Sequence, residues 1–192
     1  MASDEAGGTE ETDRSGHGAG AGMPRSYAMP GRLVSIYIAP EAKAPMQSRE
    51  SVRAVPGRGL EGDRYWSGTG AFSRWPGPLR EVTLIAREAL AEAASEFGVA
   101  VQAGEHRRNL VTEGVDLRAL LKRRFRVGEV EMEGVRVCAP CKYLVRVTGQ
   151  DRIFDALVRR GGLRARILTA GTLHVGDTIQ ARGEPVRGSL PP

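Results

Sequence analysis

Residues 125–138, FRVGEVEMEGVRVC, decide the fold class of this chain. Valine recurs through the stretch and apolar residues alternate with charged ones, which is the pattern of strands with one face turned to a core. Similar segments occur on both sides of it, and glycines mark nearly every junction between them. The other predicted strands cover 32–39, 51–56, 80–86, 106–112 and 143–148, with two more inside 163–182 around a turn at 170–177.

Three further segments have helical periodicity. Residues 86–98 are rich in Ala and Leu and end on Gly98, and residues 115–124 begin beside Asp116, a suitable N-cap. Residues 150–162 carry an apolar face and end in a double glycine. Many short strands with about three short helices predict a mostly β domain (β-rich α+β) that forms a closed or nearly closed barrel.

Length and composition predict one folded domain between two loose ends. A chain of 192 residues suits a single domain. Residues 1–26 are mainly Gly, Ala, Ser, Thr and Glu with almost no large apolar side chain, which predicts a disordered tail. Residues 183–192 have the composition of a flexible end, so the domain is predicted to span 27–182.

Charge and hydropathy exclude several classes of function. The formal net charge is +5, and 25 of the 28 basic residues are arginine. These arginines are scattered rather than arranged in a stripe with aromatic residues, so no nucleic-acid partner is predicted. The sequence contains neither a secretory signal nor an apolar run long enough to span a membrane, and two cysteines suit a reducing compartment. We therefore expect a cytoplasmic protein without a membrane partner.

The only two cysteines, Cys138 and Cys141, lie three positions apart at the end of the opening stretch. A zinc site would need more ligands, but His106 and His174 lack metal-ligand spacing and His17 lies in the predicted tail. A redox dithiol usually begins a helix, whereas this pair is predicted to lie between two strands. These two interpretations are therefore less favoured. Two packed structural cysteines, or one thiolate on a turn that acts as a soft ligand or sulfur nucleophile, are the alternatives that stay open.

Two other motifs carry polar groups suited to an anion. GLEGDRYW at 59–66 can form a tight turn from which Asp63 and Arg64 project. EHRRNLVTEGVDL at 105–117 places two arginines and Asn109 on one predicted strand, where they can donate hydrogen bonds to a phosphate or carboxylate. Taken alone, the first is equally an ordinary turn and the second an exposed basic strand.

In this order the motifs resemble the MOSC domain, the module at the C-terminus of molybdenum cofactor sulfurases. The resemblance extends from about residue 32 to about residue 180 and depends on the ordered set rather than on any single motif. It is carried by GLEGDRYW, REVTLI before a helix, RRNLVTEGVDL, FRVGEVEMEGVRVCAPC, a helical segment ending in GG, and AGTLHVGDTI. It implies a β-rich fold around a MOSC-type barrel and one functional cysteine.

The resemblance also assigns roles to individual residues. The functional cysteine of the family is the second of a Cys-x-x-Cys pair, which corresponds to Cys141, and Cys138 then becomes a packed neighbour. In members that hold the cofactor, this thiolate ligates molybdenum. The pterin and phosphate of the cofactor need donors and positive charge. The positions that match the family's Asp-Arg and Arg-x-Asn motifs are Asp63, Arg64, Arg107 and Asn109.

The function implied by the resemblance is that of a molybdenum cofactor (molybdopterin) protein that passes two electrons to the N–O bond of a small N-hydroxylated molecule. The sequence holds no flavin or iron–sulfur motif, so a separate electron-donating reductase is the expected partner. An alternative is a sulfur carrier with a persulfide on Cys141, supplied by a cysteine desulfurase, and a second alternative is a non-catalytic cofactor-binding module. No pyridoxal phosphate is expected, because Lys43, Lys122 and Lys142 are not in a recognisable Schiff-base setting.

Overall fold

The computed structural model describes residues 30–75 and 77–182. The predicted tail over 1–26 and the predicted flexible end over 183–192 lie outside these ranges and stay predictions. The strands are β1 Gly31–Ile38, β2 Gln47–Arg49, β3 Ser51–Val55, β4 Gly59–Leu60, β5 Val82–Ala86, β6 Leu110–Glu113, β7 Arg124–Val127, β8 Val130–Val137, β9 Leu163–Ile167, β10 Gly171–His174 and β11 Thr178–Arg182. The helices are α1 Arg87–Phe97, α2 Lys142–Thr148 and α3 Ile153–Leu157, and a short 3-10 helix covers Pro78–Arg80.

Seven of these strands close into a barrel. Their order is β1, β6, β5, β9, β8, β7 and β11, and the circle closes where Gly31 of β1 pairs with Ile179 of β11. Neighbouring strands are antiparallel except β5 and β6, which run parallel because α1 connects them as a crossover. β2 extends the sheet from β1, and β10, β3 and β4 form a small second sheet. The prediction of a mostly β fold with a closed barrel is confirmed.

The residues quoted first form a hairpin whose inner face fills the barrel. β7 and β8 are joined through Gly128, at a φ of 54°, and Glu129. From Phe125 to Met132 the apolar residues of the hairpin are buried, while the charged residues between them face outward and Val137 at the far end of β8 is exposed. Each fully buried large apolar side chain contributes about 1.5–3 kcal/mol of stability. The interior side chains include Phe125, Val127, Val130 and Met132 from this hairpin, and Leu33, Ile36, Leu84, Leu163 and Leu173 from other strands.

A second apolar cluster attaches the helices to the outside of the barrel. α1 follows directly after β5 and ends at Gly98, whose left-handed φ of 66° lets its N–H bind the Ala94 carbonyl. The helices bury their apolar faces together against β5 and β6. The members of this cluster are Ile85, Ala93, Val99, Val111, Leu144, Ile153, Ala156 and Leu157.

The predicted strand over 143–148 is wrong, because this segment is the helix α2. Its β-branched residues favour strands when they are considered alone. Here Leu144 is buried in the helical cluster, and the Thr148 hydroxyl donates a hydrogen bond to the Leu144 carbonyl at 2.9 Å. Packing against α3 therefore overrides local propensity. As a consequence, Cys141 lies at the start of a helix and not between two strands.

The predicted helix over 115–124 is also wrong, because the segment forms a series of turns. Asp116 accepts a hydrogen bond from the backbone N–H of Arg118 at 2.9 Å, which makes an Asx turn rather than a helix cap. Lys122 has a left-handed φ of 56°, and its N–H donates to the carbonyl of Gly134 at 2.7 Å. This pairing with β8 replaces the hydrogen bonds that further helical turns would have made.

Three boundaries differ from the predictions in smaller ways. The region 163–182 holds three strands rather than two, because β10 occupies part of the predicted turn and pairs with β3. The helix predicted over 150–162 is shorter, and β6 begins at Leu110, later than the predicted 106. The residues 106–108 therefore lie outside the strand, while the backbone of Asn109 still bonds to Thr83 and Tyr37, and these residues form part of the site.

Gly162 allows the segment before β9 to pack closely against both β5 and the cysteine loop. Its φ is 102°, and a Cβ at this position would overlap the carbonyl of Leu84. Its own carbonyl accepts a hydrogen bond from the N–H of Cys138 at 2.8 Å. The close approach of two backbone segments thus requires a residue without a side chain.

We expect Gly162→Ala to lower the free energy of unfolding by about 3 kcal/mol or more, because it combines left-handed strain with steric overlap. Gly149→Ala is the matched control, since Gly149 has a φ of 63° but open space around it. Gly149→Ala should lower the free energy of unfolding by only about 1 kcal/mol. Urea denaturation of both variants measures the difference, and equal losses would contradict the role given to the overlap.

Candidate functional site

The two cysteines lie in the loop between β8 and α2 and differ in their surroundings. Both are free thiols, but Cys138 is buried and Cys141 is exposed. Cys141 is the N-cap residue of α2 with extended backbone angles, and its carbonyl accepts the N–H of Leu144 at 2.9 Å. The loop thus presents one thiol to solvent and packs the other. The position of the pair before a helix corrects the expectation of two flanking strands, on which the argument against a redox dithiol depended.

Arg108 holds this loop in place from inside the protein. Its side chain is 6% exposed and hydrogen-bonds only to backbone carbonyls among the described residues. Burial lowers the pKa of the guanidinium, and the neighbouring Cys138 and Cys141 act in the opposite direction. The acceptors are the carbonyls of Gly161 at 2.9 Å, His106 at 3.0 Å, Cys138 at 3.1 Å and Ala139 at 3.5 Å.

The sequence predicts Arg108 as one of two arginines that donate to an anion, whereas in the structure its donors bind backbone carbonyls and hold the cysteine loop. The available signal is the tandem Arg-Arg within the predicted strand over 106–112, because adjacent residues of a strand point to opposite sides. One of the two arginines must then face the interior. The structure shows that it is Arg108, while Arg107 is half-buried at the surface.

Asp63 is the centre of a second buried network. It is 3% exposed, and both carboxylate oxygens accept hydrogen bonds. It forms an ion pair with Arg64 inside the turn at 59–66, and its hydrogen bonds with Ala39 and Asn109 connect this turn to the end of β1 and to the residue before β6. The donors to Asp63 are the N–H of Ala39 at 3.2 Å, Nη1 of Arg64 at 3.1 Å, Nδ2 of Asn109 at 3.2 Å and the N–H of Tyr65 at 3.2 Å.

The side-chain amide of Asn109 is fully engaged within the protein. Its Oδ1 accepts from the N–H and hydroxyl of Thr83 at 3.2 and 2.8 Å. Its Nδ2 donates to the carbonyl of Tyr37 at 3.1 Å and to Asp63. An amide has two donor hydrogens, and both are used here. The sequence predicts Asn109 as a donor to an anion. In the structure its side chain instead hydrogen-bonds to β1, β5 and Asp63 and holds them together.

Arg64 and Arg107 lie close together and keep donors available. Arg64 uses Nη1 for Asp63 and for the sulfur of Met46 at 3.4 Å, and Arg107 uses Nη1 for the Ala44 carbonyl at 2.5 Å. The Nε and Nη2 groups of both have no hydrogen-bond partner among residues 30–75 and 77–182. Burial and then the charge of Arg64 lower the pKa of Arg107. Two like charges held together in this way favour an anion between or beside them.

The backbone and the aromatic neighbours of Arg107 fix its orientation. Its φ is 59°, which is uncommon for a residue with a side chain. Its guanidinium lies 5.7 Å from the ring of Tyr143, two residues after Cys141. Strained backbone angles that persist in a folded protein are concentrated at functional sites. The arginine of the Arg-x-Asn motif is therefore positioned next to the helix that Cys141 begins.

The predicted site residues thus lie in one region of the protein, with Asp63 and Asn109 buried and Cys141 exposed. Hydrogen bonds join Asp63, Arg64 and Asn109, and charge interactions link Arg64 to Arg107. The pKa of Arg108 is affected by both Arg64 and Cys141, so the loop and the arginines lie within electrostatic reach of each other. Within the described ranges, no group of three His, Cys, Asp or Glu side chains is arranged to hold a metal ion, and no helix meets the length and hydropathy needed to cross a membrane.

His106 is buried beside this region in its neutral form. Its Nδ1 accepts the N–H of Arg108 at 3.1 Å, and its ring lies edge-on to Tyr37 with centroids 5.2 Å apart. Burial, followed by the charges of Arg108 and Arg107, lowers the pKa of His106 to about 4.

We expect this histidine to make the fold sensitive to acid. Between pH 6.5 and about 4 the unfolded state binds a proton that the folded state does not, so stability falls as the pH is lowered through this window. The loss amounts to about 3 kcal/mol. Urea denaturation at several pH values, compared between wild type and His106→Gln, measures it. An unchanged pH slope in His106→Gln would contradict the assignment.

Comparison with known proteins places the chain in a family. Solved structures of low sequence identity share the fold. The YuaD protein from Bacillus subtilis has a TM-score of 0.65 at 20% identity, covering 80% of this chain and 96% of that one. YiiM from Geobacillus stearothermophilus has a TM-score of 0.64 at 15% identity, and the match covers 82% of this chain and 78% of that one. YiiM from Escherichia coli has a TM-score of 0.58 at 18% identity, and the match covers 80% of this chain and 70% of that one. No curated protein sequence matches significantly.

The sequence model of the MOSC domain matches residues 74–180, more than half of the chain, and this protein therefore belongs to the MOSC domain family.

Proposed function

We propose that this protein binds a molybdenum cofactor through the thiolate of Cys141 and uses it to reduce small N-hydroxylated compounds by two electrons. The family is associated with molybdenum cofactor binding. The observation that carries the proposal is an exposed thiol on a loop that a buried arginine holds in place, beside two arginines with unused donors. The proposed catalytic residue and metal ligand is Cys141.

The donors of the site fit the chemical groups of such a cofactor. A thiolate is a soft ligand suited to a heavy transition metal. The free N–H groups of Arg64 and Arg107 suit a phosphate and the polar edge of a pterin, because charge-assisted hydrogen bonds to guanidinium are strong and directional. Asp63 and Asn109 contribute by orienting Arg64 and the segment before β6, since their own polar atoms are already bonded.

When bound, the cofactor would supply a centre that cycles between two oxidation states two electrons apart. In the net reaction an N–O bond is cleaved with two electrons and two protons, and the products are the reduced nitrogen compound and water. The electrons must come from a separate reductase, because the two cysteines of this chain are too few to hold an iron–sulfur cluster. The protein's own part is to hold Cys141 at the surface, to orient the cofactor's anionic groups through the arginines, and to leave an approach for the substrate.

The exposure of Cys141 also favours a second candidate function, that of a sulfur carrier. A persulfide on this thiol would be reachable by a partner protein such as a cysteine desulfurase, and it would be handed to an acceptor. Protein produced in a host that makes the cofactor separates the two. Stoichiometric molybdenum supports the reductase, whereas labile sulfur without metal supports the carrier. Bound molybdenum with no turnover of any N-hydroxylated compound would leave a non-catalytic binding module.

We expect the two cysteines to behave differently when each is replaced by serine. Cys141→Ser should abolish retention of molybdenum while the melting temperature stays nearly unchanged, because the side chain is exposed. Cys138→Ser should retain the metal and lose roughly 1 kcal/mol of stability, because a buried group is replaced by a poorly satisfied hydroxyl. Metal analysis and thermal denaturation of both variants test this. Equal loss of metal in the two would contradict it.

We expect Arg64→Ala and Arg107→Ala to weaken cofactor binding by about 2 kcal/mol each, roughly thirtyfold, with Cys141 intact. Lysine at either position should restore binding only in part, because a point charge does not reproduce the guanidinium fork. Bound molybdenum is counted at limiting cofactor concentration.

Arg159→Ala is the control for these two variants, because Arg159 is exposed and forms no ion pair within the described residues. Its neighbour Arg160 does not serve, since it pairs with Glu92 and Glu96 at 2.6 and 2.8 Å. If Arg64→Ala and Arg107→Ala load as well as Arg159→Ala, the two arginines are not cofactor ligands.

A further inference from the structure

A cavity next to the cysteine loop is lined by three arginines. It has a volume of about 320 Å³, at the lower end of the range for small-molecule sites. Arg80 comes from the 3-10 helix, Arg136 from β8 and Arg164 from β9. None of them forms an ion pair with a carboxylate in the part of the chain that the structure describes. A cavity therefore gathers three positive charges without a counter-charge from the described residues.

The strand pairing shows that this concentration of charge is local. On the outer face of β8 and β9, Glu133 is opposite Arg166, and the two form a salt bridge at 2.8 Å. Beyond the irregularity in β8, the next outward pair is Arg136 opposite Arg164. Like charges directly opposite each other in a sheet are destabilising. Opposite charges thus face each other at the first pair, whereas two positive charges face each other where the strands reach the cavity.

The arginines also keep most of their donors free. Arg80 donates Nε to the carbonyl of Phe72 at 2.8 Å, and Arg164 donates Nη1 to the carbonyl of Leu79 at 2.9 Å. The side chain of Arg136 has no hydrogen-bond partner among the described residues. A guanidinium has five N–H donors, so many remain for a ligand with several acceptor oxygens. The two bonds that do form hold Arg80 and Arg164 in place.

Apolar side chains complete the lining. Phe72, Leu79 and Val137 border the cavity, and the ring of Phe72 lies 5.4 Å from the guanidinium of Arg80. A free inorganic anion would leave this apolar surface unused. A carboxylate or phosphate attached to a small hydrophobic or aromatic body would use both parts of the lining.

The cavity reaches the loop that carries the exposed thiol. Ala139 lines it, two residues before Cys141, and its carbonyl is one of the acceptors of Arg108. Arg164 and Cys141 both influence the pKa of Arg108. A molecule anchored by the arginines would therefore extend from a point close to the loop.

We propose that this cavity binds the oxyanion of a small organic acid, a carboxylate or phosphate carried on an apolar body. On the function proposed above, on which this step rests, the substrate is an N-hydroxylated compound with such an anionic group. The arginines hold the anionic end and are positioning residues, while the N–O bond lies toward Cys141.

The binding site is tested first without the cofactor. Phenyl phosphate and inorganic phosphate are titrated calorimetrically into the full chain purified from a host that does not make the cofactor. Phenyl phosphate should bind more tightly than inorganic phosphate, and Arg136→Gln and Arg164→Gln should each weaken it about tenfold or more. The control is Arg126→Gln on β7, an exposed arginine without an ion pair among the described residues, and it should change the affinity less than about twofold. The proposal is overturned if wild type does not bind phenyl phosphate, or if wild type and the three variants bind it with equal affinity.

Stability and metal loading distinguish this site from two other roles of the same arginines. Relief of like-charge repulsion should leave the melting temperatures of Arg136→Gln and Arg164→Gln unchanged or higher. A clear fall in both would indicate a structural role and overturn the proposal. Molybdenum loading should also be unchanged in both. If loading falls as it does in Arg107→Ala, the cavity holds the phosphate of the cofactor, and the assignment to substrate is overturned.

The link to catalysis is tested with loaded protein and an aryl N-hydroxyamidine, with and without a para-carboxylate. Wild type should show kcat/KM about tenfold higher for the carboxylate, mainly through KM, and Arg136→Gln should remove this preference. An equal preference in Arg136→Gln overturns the specificity role. Absence of turnover for both compounds would refute the proposed reductase function, while the calorimetric titrations decide the anion site independently.

Discussion

The interactions of the buried Arg108 guanidinium are the constraint on which the site depends. Its N–H groups bind carbonyls of three segments that are distant in sequence: the turn before β6, the cysteine loop and the glycine pair before β9. A buried charge is costly unless its hydrogen bonds are satisfied, so these backbone dipoles must stay directed at it. The position of the loop is thereby tied to the burial of one cation. A neutral side chain could fill the same space without imposing this geometry.

Two glycines make the same geometry possible. The carbonyl of Gly161 accepts from Arg108, and a Cβ on Gly161 would overlap the carbonyl of Cys138. Gly162 approaches the backbone of β5 equally closely. Segments that carry side chains could not bring their carbonyls so near to one guanidinium. The double glycine that was predicted to end a helix is therefore required by the packing of the loop, because α3 already ends at Leu157.

The sequence predictions are correct where local interactions decide the structure and fail where contacts between residues distant in sequence decide it. The alternation of 125–138 predicts which residues of the hairpin face a core, and Phe125 and Met132 are buried as this pattern indicates. The closed barrel was predicted from the whole series of short strands, of which this hairpin supplies two. Helix α2 was not predictable in this way, because Leu144 becomes buried only through contact with α3 and β5. The turns at 115–124 arise from hydrogen bonds to Gly134, which are equally non-local. Local propensity decides a segment only where no tertiary contact competes with it.

The candidate site shows the same division. Its members Asp63, Arg64, Arg107, Asn109 and Cys141 were identified from motifs. The division of labour between them was not, since it depends on which polar atoms already have partners. The polar side-chain atoms of Asn109 and Asp63 already have backbone and side-chain partners, whereas Arg64 and Arg107 keep unused donors. A motif specifies residue types, but only the folded structure shows which donors remain for a ligand.

The distribution of charge explains why the site has spare donors. Several carboxylates of the protein bind other groups: Glu81 accepts from Gly57 and Ile167, Glu133 pairs with Arg166, and Glu92 and Glu96 pair with Arg160. Around the cysteine loop, Asp63 is the one acid joined to the arginines by an ion pair within the described residues, and Arg107, Arg136 and Arg164 lack one. Like charges held together cost stability, and folded proteins retain such an arrangement where an anion or a reaction uses it. The unbalanced arginines are therefore a better indication of the ligand's chemistry than the net charge of the chain, because they show where the missing negative charge has to come from.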